Sequence, residues 1–287
     1  MRPADIGVVV VSHNSASTLE DCIGRLLAAE CVADVVVVDN GSADASLAVL
    51  ERPQAGEPRL RVVANAGNPG FAVACNQGAL RLESAWLALV NPDLMVQGSS
   101  LRQLRDLAEA LPEPALVGAE LVDAHGVRDV AARRKDPSLR LMLSGLGRRG
   151  SVAVPRDSTR ALQDVDAVSG ALMLMPRMLY LGLGGFDEGY RLHAEDLDLC
   201  RRVRAGGGRV LVANEVVVTH LRGVSSRRRP VWVEWQKHRG MWRYFRKFEG
   251  GDAGLLVHAL AFAAIWSHWL LAAPRAWLAA RRTPATP

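Results

Sequence analysis

The 287-residue chain is 49% hydrophobic and 23% charged, a balance that excludes a largely disordered protein and suffices for one large α/β core. Its formal charge of +5 and pI near 9.4 favour anionic partners such as phosphates, membrane surfaces or nucleic acid. Four cysteines, Cys22, Cys31, Cys75 and Cys200, lie in apolar surroundings without a CxxC pair, which disfavours a zinc or disulfide framework and makes them core thiols of a reducing compartment.

IGVVVVSHN reads as a strand; Asp5 precedes it and no small-residue cleavage site follows, so it is not a signal peptide. STLEDCIGRLLAAE places Leu19, Cys22, Ile23, Leu26 and Leu27 at helical spacing, and DVVVVDNGS repeats the pattern of strand then polar turn. Strands this continuously apolar belong in a parallel sheet covered on both faces, so a βαβ unit is predicted with its two polar turns side by side. RLRVVANA predicts a third strand, FAVACNQGALRLE a helix, and SAWLALVNPD a strand stopped by Pro92. This alternation up to about residue 125 predicts an open sheet whose ligand crevice lies outside the carboxyl ends of the strands.

Residues 131–164 break the rhythm. Basic residues, glycines and prolines surround one amphipathic stretch, LRLMLSGL, which suggests a mobile connector or an acceptor-side flap. DAVSGALMLMP then reads as a strand, YLGLGGFDEGY as a loop, EDLDLCRRVRAGG as a helix and GRVLVANEVVVTH as one or two strands. From about residue 231 the character changes: six of the seven tryptophans lie there, so an amphipathic element begins.

Several constellations point to chemistry, each beside a local explanation. Asn91 and Asp93 in NPDL sit two apart at a strand end, so both oxygens can address one cation or sugar, although an Asn-Pro-Asp turn also arises for local reasons. Asp39 and Asn40 precede a glycine turn where a carboxylate can accept from a ribose or a pyrimidine imide, and Ser42 or Asp44 can cap the next helix. NAGNPGFAVACNQG enters a helix and its amides can cradle an anion. It lacks the GxGxxG spacing, and GLGG at 182–185 opens no helix directly after a strand, which disfavours a dehydrogenase. In RLHAEDLDLC the acids suit a helix start and Arg201, Arg202 and Arg204 its end. His220 follows an apolar strand and precedes a basic run, where a hydrogen-bonded structural histidine and a solvated patch are the ordinary readings.

In order, VVVVSHN, VVVVDNGS, NPGFAVACNQG, LVNPD, VSGALMLMPR, GGFDEGY, HAEDLDLC and a late TH resemble the family 2 glycosyltransferases over about residues 5–225. Among these the chain looks most like bacterial rhamnosyltransferases that extend lipid-linked glycans. The resemblance implies the GT-A fold: α/β, a Rossmann-like open, mostly parallel sheet with helices on both faces, plus a C-terminal helical extension. It implies a catalytic domain over residues 1–230, with a nucleotide-sugar half at about 1–125 and an acceptor half at about 126–230, and an extension over 231–287. Residue by residue, Asp39 would meet the base or ribose, Asp93 of NPD would bind the divalent cation on the diphosphate, and Asp196 would be the general base. His220 falls where relatives often place a further metal or phosphate ligand. The implied donor-binding set is Ser12, Asn14, Asp39, Asn40, Asn68, Gly70, Asn76, Asn91, Asp93 and Glu195, and the implied metal set is Asp93, His220 and Asn91, holding Mg²⁺ or Mn²⁺. Many relatives carry aspartate at position 91, so the amide there implies weaker metal binding, in part through water and the donor diphosphate.

Inversion by a single displacement is then expected, with dTDP-rhamnose as donor and a hydroxyl of a lipid-linked or cell-surface glycan as acceptor. A UDP-hexose or UDP-galactofuranose donor, or a catalytically silent sugar-nucleotide-binding protein, is the alternative. Nucleic acid is not an expected partner, because no stacking aromatics interleave the basic residues of the α/β region. Residues 255–273 would extend roughly 28 Å as a helix, with histidines and a serine interrupting and cations flanking. Tryptophans and arginines around an apolar helix suit a membrane interface. Packing on the catalytic domain or on a partner copy in a homo-oligomer is the competing reading. A polyprenyl-diphosphate-linked acceptor would account for this tail and for the basic residues at 133–149, and places the protein at the cytoplasmic face of the membrane.

Overall fold

A computed structural model describes residues 4–137, 152–221, 230–251 and 253–282. Strands β1 (Ile6–Ser12), β2 (Val32–Asp39), β3 (Leu60–Ala64) and β4 (Trp86–Val90) alternate with helices α1 (Ala16–Ala28), α2 (Ala48–Gly56) and α3 (Phe71–Ala79). After them come β5 (Leu94–Met95), α4 (Ser100–Glu109), β6 (Ala115–Val122), β7 (Arg133–Arg134), β8 (Leu162–Asp164), β9 (Ala167–Val168) and β10 (Leu172–Pro176). The chain continues through α5 (Arg177–Gly182), α6 (Glu195–Ala205), β11 (Arg209–His220), α7 (Pro230–Phe248) and α8 (Leu255–Arg282).

The main sheet runs β3-β2-β1-β4-β10-β6-β11-β5, with β8 added on β11. β10 is antiparallel to β4, β5 and β8 are antiparallel to β11, and the β1–β2, β2–β3, β1–β4 and β6–β11 pairs are parallel. The fold is α/β, a mostly parallel sheet with helices on both faces. Alternation along β1 explains why both faces are covered: Val8 and Val10 pack with Leu19, Ile23 and Leu26 of α1, whereas Val9 packs with Ala74 and Cys75 of α3 and Leu199 of α6. Each fully buried aliphatic side chain of this kind contributes about 1.5–3 kcal/mol.

The expected juxtaposition of polar turns follows from the register, since Ser12 stands opposite Asp39. The four cysteines are free and buried. Three details differ from the sequence pattern. The strand expected over 166–176 is broken at Ser169–Ala171 into β9, which pairs with β7, and β10 of the main sheet. Residues 180–190, expected as loop, begin inside α5, and Gly184 and Gly185 adopt φ of 76° and 70° to reverse the chain. The 209–220 segment is one strand with an irregularity between Ala213 and Val217. LRLMLSGL and the basic run at 222–229 lie outside the described residues.

The C-terminal extension does not stand apart. Tyr244 of α7 is fully buried in the core cluster that covers one sheet face. α8 packs antiparallel along α7, through Trp235 on Trp266 and Trp269 and through Trp242 on Phe262.

Candidate active site

The carboxyl ends of β1, β2 and β3 carry a ring of polar groups. Asp39 is fully buried; its two oxygens accept from the Ser42 amide at 2.9 Å and the Ser42 hydroxyl at 2.5 Å, which shapes the turn after β2. Asn14, at a left-handed φ of 54°, donates its amide to the Ser42 hydroxyl and accepts from Ala43. Asn40 donates to the Gly70 carbonyl and accepts from Asn65. Asn68 accepts from the Gly70 amide. Gly70 is required as glycine, because its φ is 114° and a Cβ would stand 2.9 Å from the Arg191 carbonyl. Arg191 in turn donates to the Asn68 carbonyl, so the 187–193 loop closes against the entry of α3.

Asn76 departs from its expected place. Its amide donates to the Phe186 carbonyl and Glu188, and its oxygen accepts from Tyr180 and Phe186. Both ends of the Asn76 side chain are hydrogen bonded inside the protein, so it anchors the 180–188 loop.

The acidic side of the edge is assembled by β11. Its end pairs antiparallel with β5, His220 opposite Leu94, and the Leu221 amide donates to the Asp93 carbonyl. His220 Nε2 thereby lies 3.1 Å from Asp93 Oδ1, without hydrogen-bond alignment, and His220 Nδ1 has no partner. The Ser12 hydroxyl, fully buried at the same edge, has none either. Buried polar atoms are ordinarily paired, so unpaired ones gathered at one strand edge mark a ligand position. Asp93 Oδ1 and His220 are donors of the kind a divalent cation takes. Among the described residues no three His, Cys, Asp or Glu side chains gather as a metal cage, so substrate oxygens would have to complete the coordination.

Asp196 stands across the turn at 169–171. Gly170 donates to Asp196 Oδ2 at 3.0 Å, Arg134 donates to the same oxygen at 2.5 Å, and the Leu197 amide donates to Oδ1. The next residue of the turn, Ala171, accepts from the Asn91 amide at 2.9 Å. Burial alone would raise the Asp196 pKa, but the Arg134 charge and these hydrogen bonds outweigh it and hold the pKa below the ordinary carboxylate range. Arg134 was not singled out by the sequence beyond its place in a basic stretch. Its signal is the two-residue pairing of β7 with β9, which is a tertiary fact.

The neighbours of Asp196 are more than dressing for a helix start. Glu195 is buried with Oε2 unpartnered, and burial followed by the Asp196 charge pushes its pKa up to about 8. Asp198 is fully buried between Arg202 and Lys247. Arg201 and Arg204 are likewise engaged, with Glu249 and Asp136. The residues entering α6, His193 and Ala194, hold left-handed φ of 69° and 73°. Two successive non-glycine residues in that region are costly and occur where a site holds them.

Residues 7–146 match the family model described as "Glycosyl transferase family 2". Those residues are a family 2 glycosyltransferase domain. The chain is 28% identical over 253 residues to an N-acetylglucosaminyl-diphospho-decaprenol L-rhamnosyltransferase of Mycobacterium tuberculosis strain H37Rv, covering 78% of each chain. It is 23% identical over 210 residues to rhamnosyltransferase WbbL of Escherichia coli K12, covering 71% of this chain and 78% of that one. In fold it is similar to the mannosyltransferase PcManGT of Pyrobaculum calidifontis, solved with GDP-Man and Mn²⁺, at a TM-score of 0.61 and 19% identity, covering 100% of this chain and 77% of the other. The glycosyltransferase is thus rhamnosyltransferase-like in sequence and GT-A in architecture.

Proposed function

We propose that this glycosyltransferase transfers L-rhamnose from dTDP-rhamnose, with inversion, to a hydroxyl of a polyprenyl-diphosphate-linked glycan at the cytoplasmic face of a membrane. The donor sugar and the acceptor are carried over from the names of the mycobacterial and Escherichia coli relatives. The observation that supports the chemistry is the turn at 169–171, which ties Asn91 of the NPD segment and Asp196 to adjacent residues. That link supports a reading in which the cation-binding NPD segment and the base act on one substrate.

In this reading Asp196 accepts the proton of the acceptor hydroxyl as that oxygen bonds to the anomeric carbon. The bond from that carbon to the donor phosphate breaks in the same step, and its electron pair leaves with dTDP. Attack opposite the leaving group inverts the anomeric centre without a covalent glycosyl-enzyme. Arg134 keeps Asp196 ionised until the proton arrives. Asp93, His220 and Asn91 would hold Mg²⁺ or Mn²⁺, which when bound neutralises charge on the departing diphosphate. Ser12, Asn14, Asp39 and Asn40 would meet the nucleoside, and the Asn68–Gly70 loop at the entry of α3 the phosphates.

The test is turnover with a panel of dTDP-rhamnose, UDP-hexoses and UDP-galactofuranose, with N-acetylglucosaminyl-diphospho-polyprenol as acceptor. Consumption of dTDP-rhamnose and an inverted anomeric signal by NMR are expected. Preference for a UDP-hexose overturns the donor, and retained configuration overturns the mechanism.

A further inference from the structure

We propose that α8 lies in the plane of an anionic lipid bilayer, seated at the boundary of headgroups and acyl chains, and does not cross the membrane. The proposal deepens the lipid-linked acceptor reading and rests on it.

α8 has the length and composition of a span: Leu255–Ala279 has a mean hydropathy of 1.7. Its packing says otherwise. Ala261, Ile265 and Ala273 are buried, and residues 258–269 of the helix pack side by side with α7. The His238 and His268 rings are hydrogen bonded at 2.9 Å, Trp235 packs on Trp266 at 4.5 Å, and Trp242 meets both His258 and Phe262. α7 carries Glu234, Lys237, Arg239, Arg243, Arg246 and Lys247, and it is bolted to the catalytic domain by Arg243 and Lys247 on Asp187. A spanning α8 would have to abandon this partner or draw its charges into hydrocarbon, where each charged group costs about 2.5–3.5 kcal/mol even on the lowest scale.

The face of α8 turned away from α7 is apolar from Leu256 to Leu278, apart from Ser267. Leu256, Leu260, Leu271 and Leu278 are 73%, 52%, 59% and 47% exposed, and they lie on one stripe at helical spacing. Ser267 is the polar residue on that stripe, and its hydroxyl donates back to the Ala264 carbonyl at 3.1 Å, so it asks nothing of water. An apolar stripe of this length on an exposed helix marks a surface that something covers.

Charge selects the occupant. No acidic residue follows Asp252, whereas Arg275, Arg281 and Arg282 do, and Arg281 stacks over Trp277 at 3.7 Å. Arginine and tryptophan at the rim of an apolar face suit anionic headgroups above acyl chains. A second copy packed in parallel on the same stripe would bring like charges together.

The experiment is flotation of the full-length protein with phosphatidylcholine vesicles and with vesicles containing phosphatidylglycerol. At least tenfold more protein is expected to float with the anionic vesicles, and 0.5 M salt should remove most of that gain. A double Leu256→Glu, Leu271→Glu variant, substituted at exposed positions and checked by circular dichroism, should lose tenfold in flotation. On sealed vesicles, Arg281→Cys should react with an impermeant maleimide added outside, without detergent. Reaction only after detergent overturns the in-plane placement. Equal flotation on phosphatidylcholine overturns the anionic preference, and a stable dimer that does not float assigns the stripe to a second copy. Donor hydrolysis, measured without lipid, separates this from the functional reading: a protein that hydrolyses donor but never floats overturns the membrane proposal alone.

Discussion

The Arg134 guanidinium rests on the Asp196 carboxylate at 2.5 Å, joining the proposed base to the short β7–β9 ribbon. Replacing Arg134 by methionine removes the opposing charge while burial remains, so the Asp196 pKa rises. An opposite charge at this range ordinarily lowers a carboxylate by about 1–3 units. Transfer requires the ionised form, so the acid limb of the kcat/KM profile should move to higher pH by at least about one unit. The sign for stability agrees: a lowered folded pKa contributes stability above the unfolded value, lost as pH falls through the folded value, and Arg134→Met should flatten that acid loss. An acid limb that stays in place would show that Arg134 does not set the ionisation of Asp196.

Asp196→Asn keeps an oxygen able to accept from Gly170 or Leu197 and removes the basicity. Turnover should fall by roughly 10²–10⁴ while binding of the nucleoside diphosphate, followed by calorimetry, changes little. A loss of binding equal to the loss of turnover would make Asp196 a donor-positioning group.

Glu195 gives a pH signature of folding. Burial and then the Asp196 charge push its pKa up to about 8, whereas an unfolded glutamate releases its proton near 4.3. Between those values the unfolded chain binds fewer protons, so stability declines as pH rises. Glu195→Gln cannot ionise, and its melting temperature relative to the wild type should improve steadily from pH 5 to pH 8. A constant difference across that range, measured by scanning calorimetry, would remove the buried neutral acid from the account.

Much of this was legible in the chain, for identifiable reasons. β1 and β2 are continuously β-branched and α1 carries apolar residues at helical spacing, so local pattern dictated both elements and their register set Ser12 against Asp39. The pairing of Asp93 with His220 was not local: it needs β5 to add antiparallel to β11 across more than a hundred residues. The contact of Arg134 with Asp196 and the anchoring of the 180–188 loop by Asn76 were not legible for the same cause. An arginine in a basic stretch and an asparagine in a helix look alike whether they face solvent or lock a loop, and only tertiary packing tells them apart.

The pair at Asp93 and His220 predicts a weak, tunable cation site. Mn²⁺ affinity in the presence of a nucleoside diphosphate, read by electron paramagnetic resonance, should drop about tenfold or more in Asp93→Asn. Asn91→Asp adds a charged oxygen beside it and should tighten binding, because affinity for a hard cation rises with ligand charge. If neither substitution changes the titration, the cation is held elsewhere.

The last prediction concerns what holds the 187–195 loop. Asp187 accepts from Arg243 and Lys247, and burial, which would raise its pKa, is overcome by these bonds so that it stays well below the ordinary range. One turn earlier in α7, Gly240 lies beneath the loop, where a Cβ would meet the His193 carbonyl at 2.8 Å. The neighbour is backbone, so it cannot swing aside as a flexible side chain would. Gly240→Val should therefore push on the left-handed His193–Ala194 pair and displace Asp196, two residues on, by a fraction of an ångström to an ångström. A misplacement of about 1 Å can cost roughly a hundredfold in rate. Asp187→Asn, by contrast, weakens partly exposed ion pairs and should cost only about 1 kcal/mol of stability with a smaller effect on rate. The two variants should thus separate in turnover more than in melting temperature. Equal loss of turnover and stability in both would mean that α7 supports the fold as a whole and not the loop that presents Asp196.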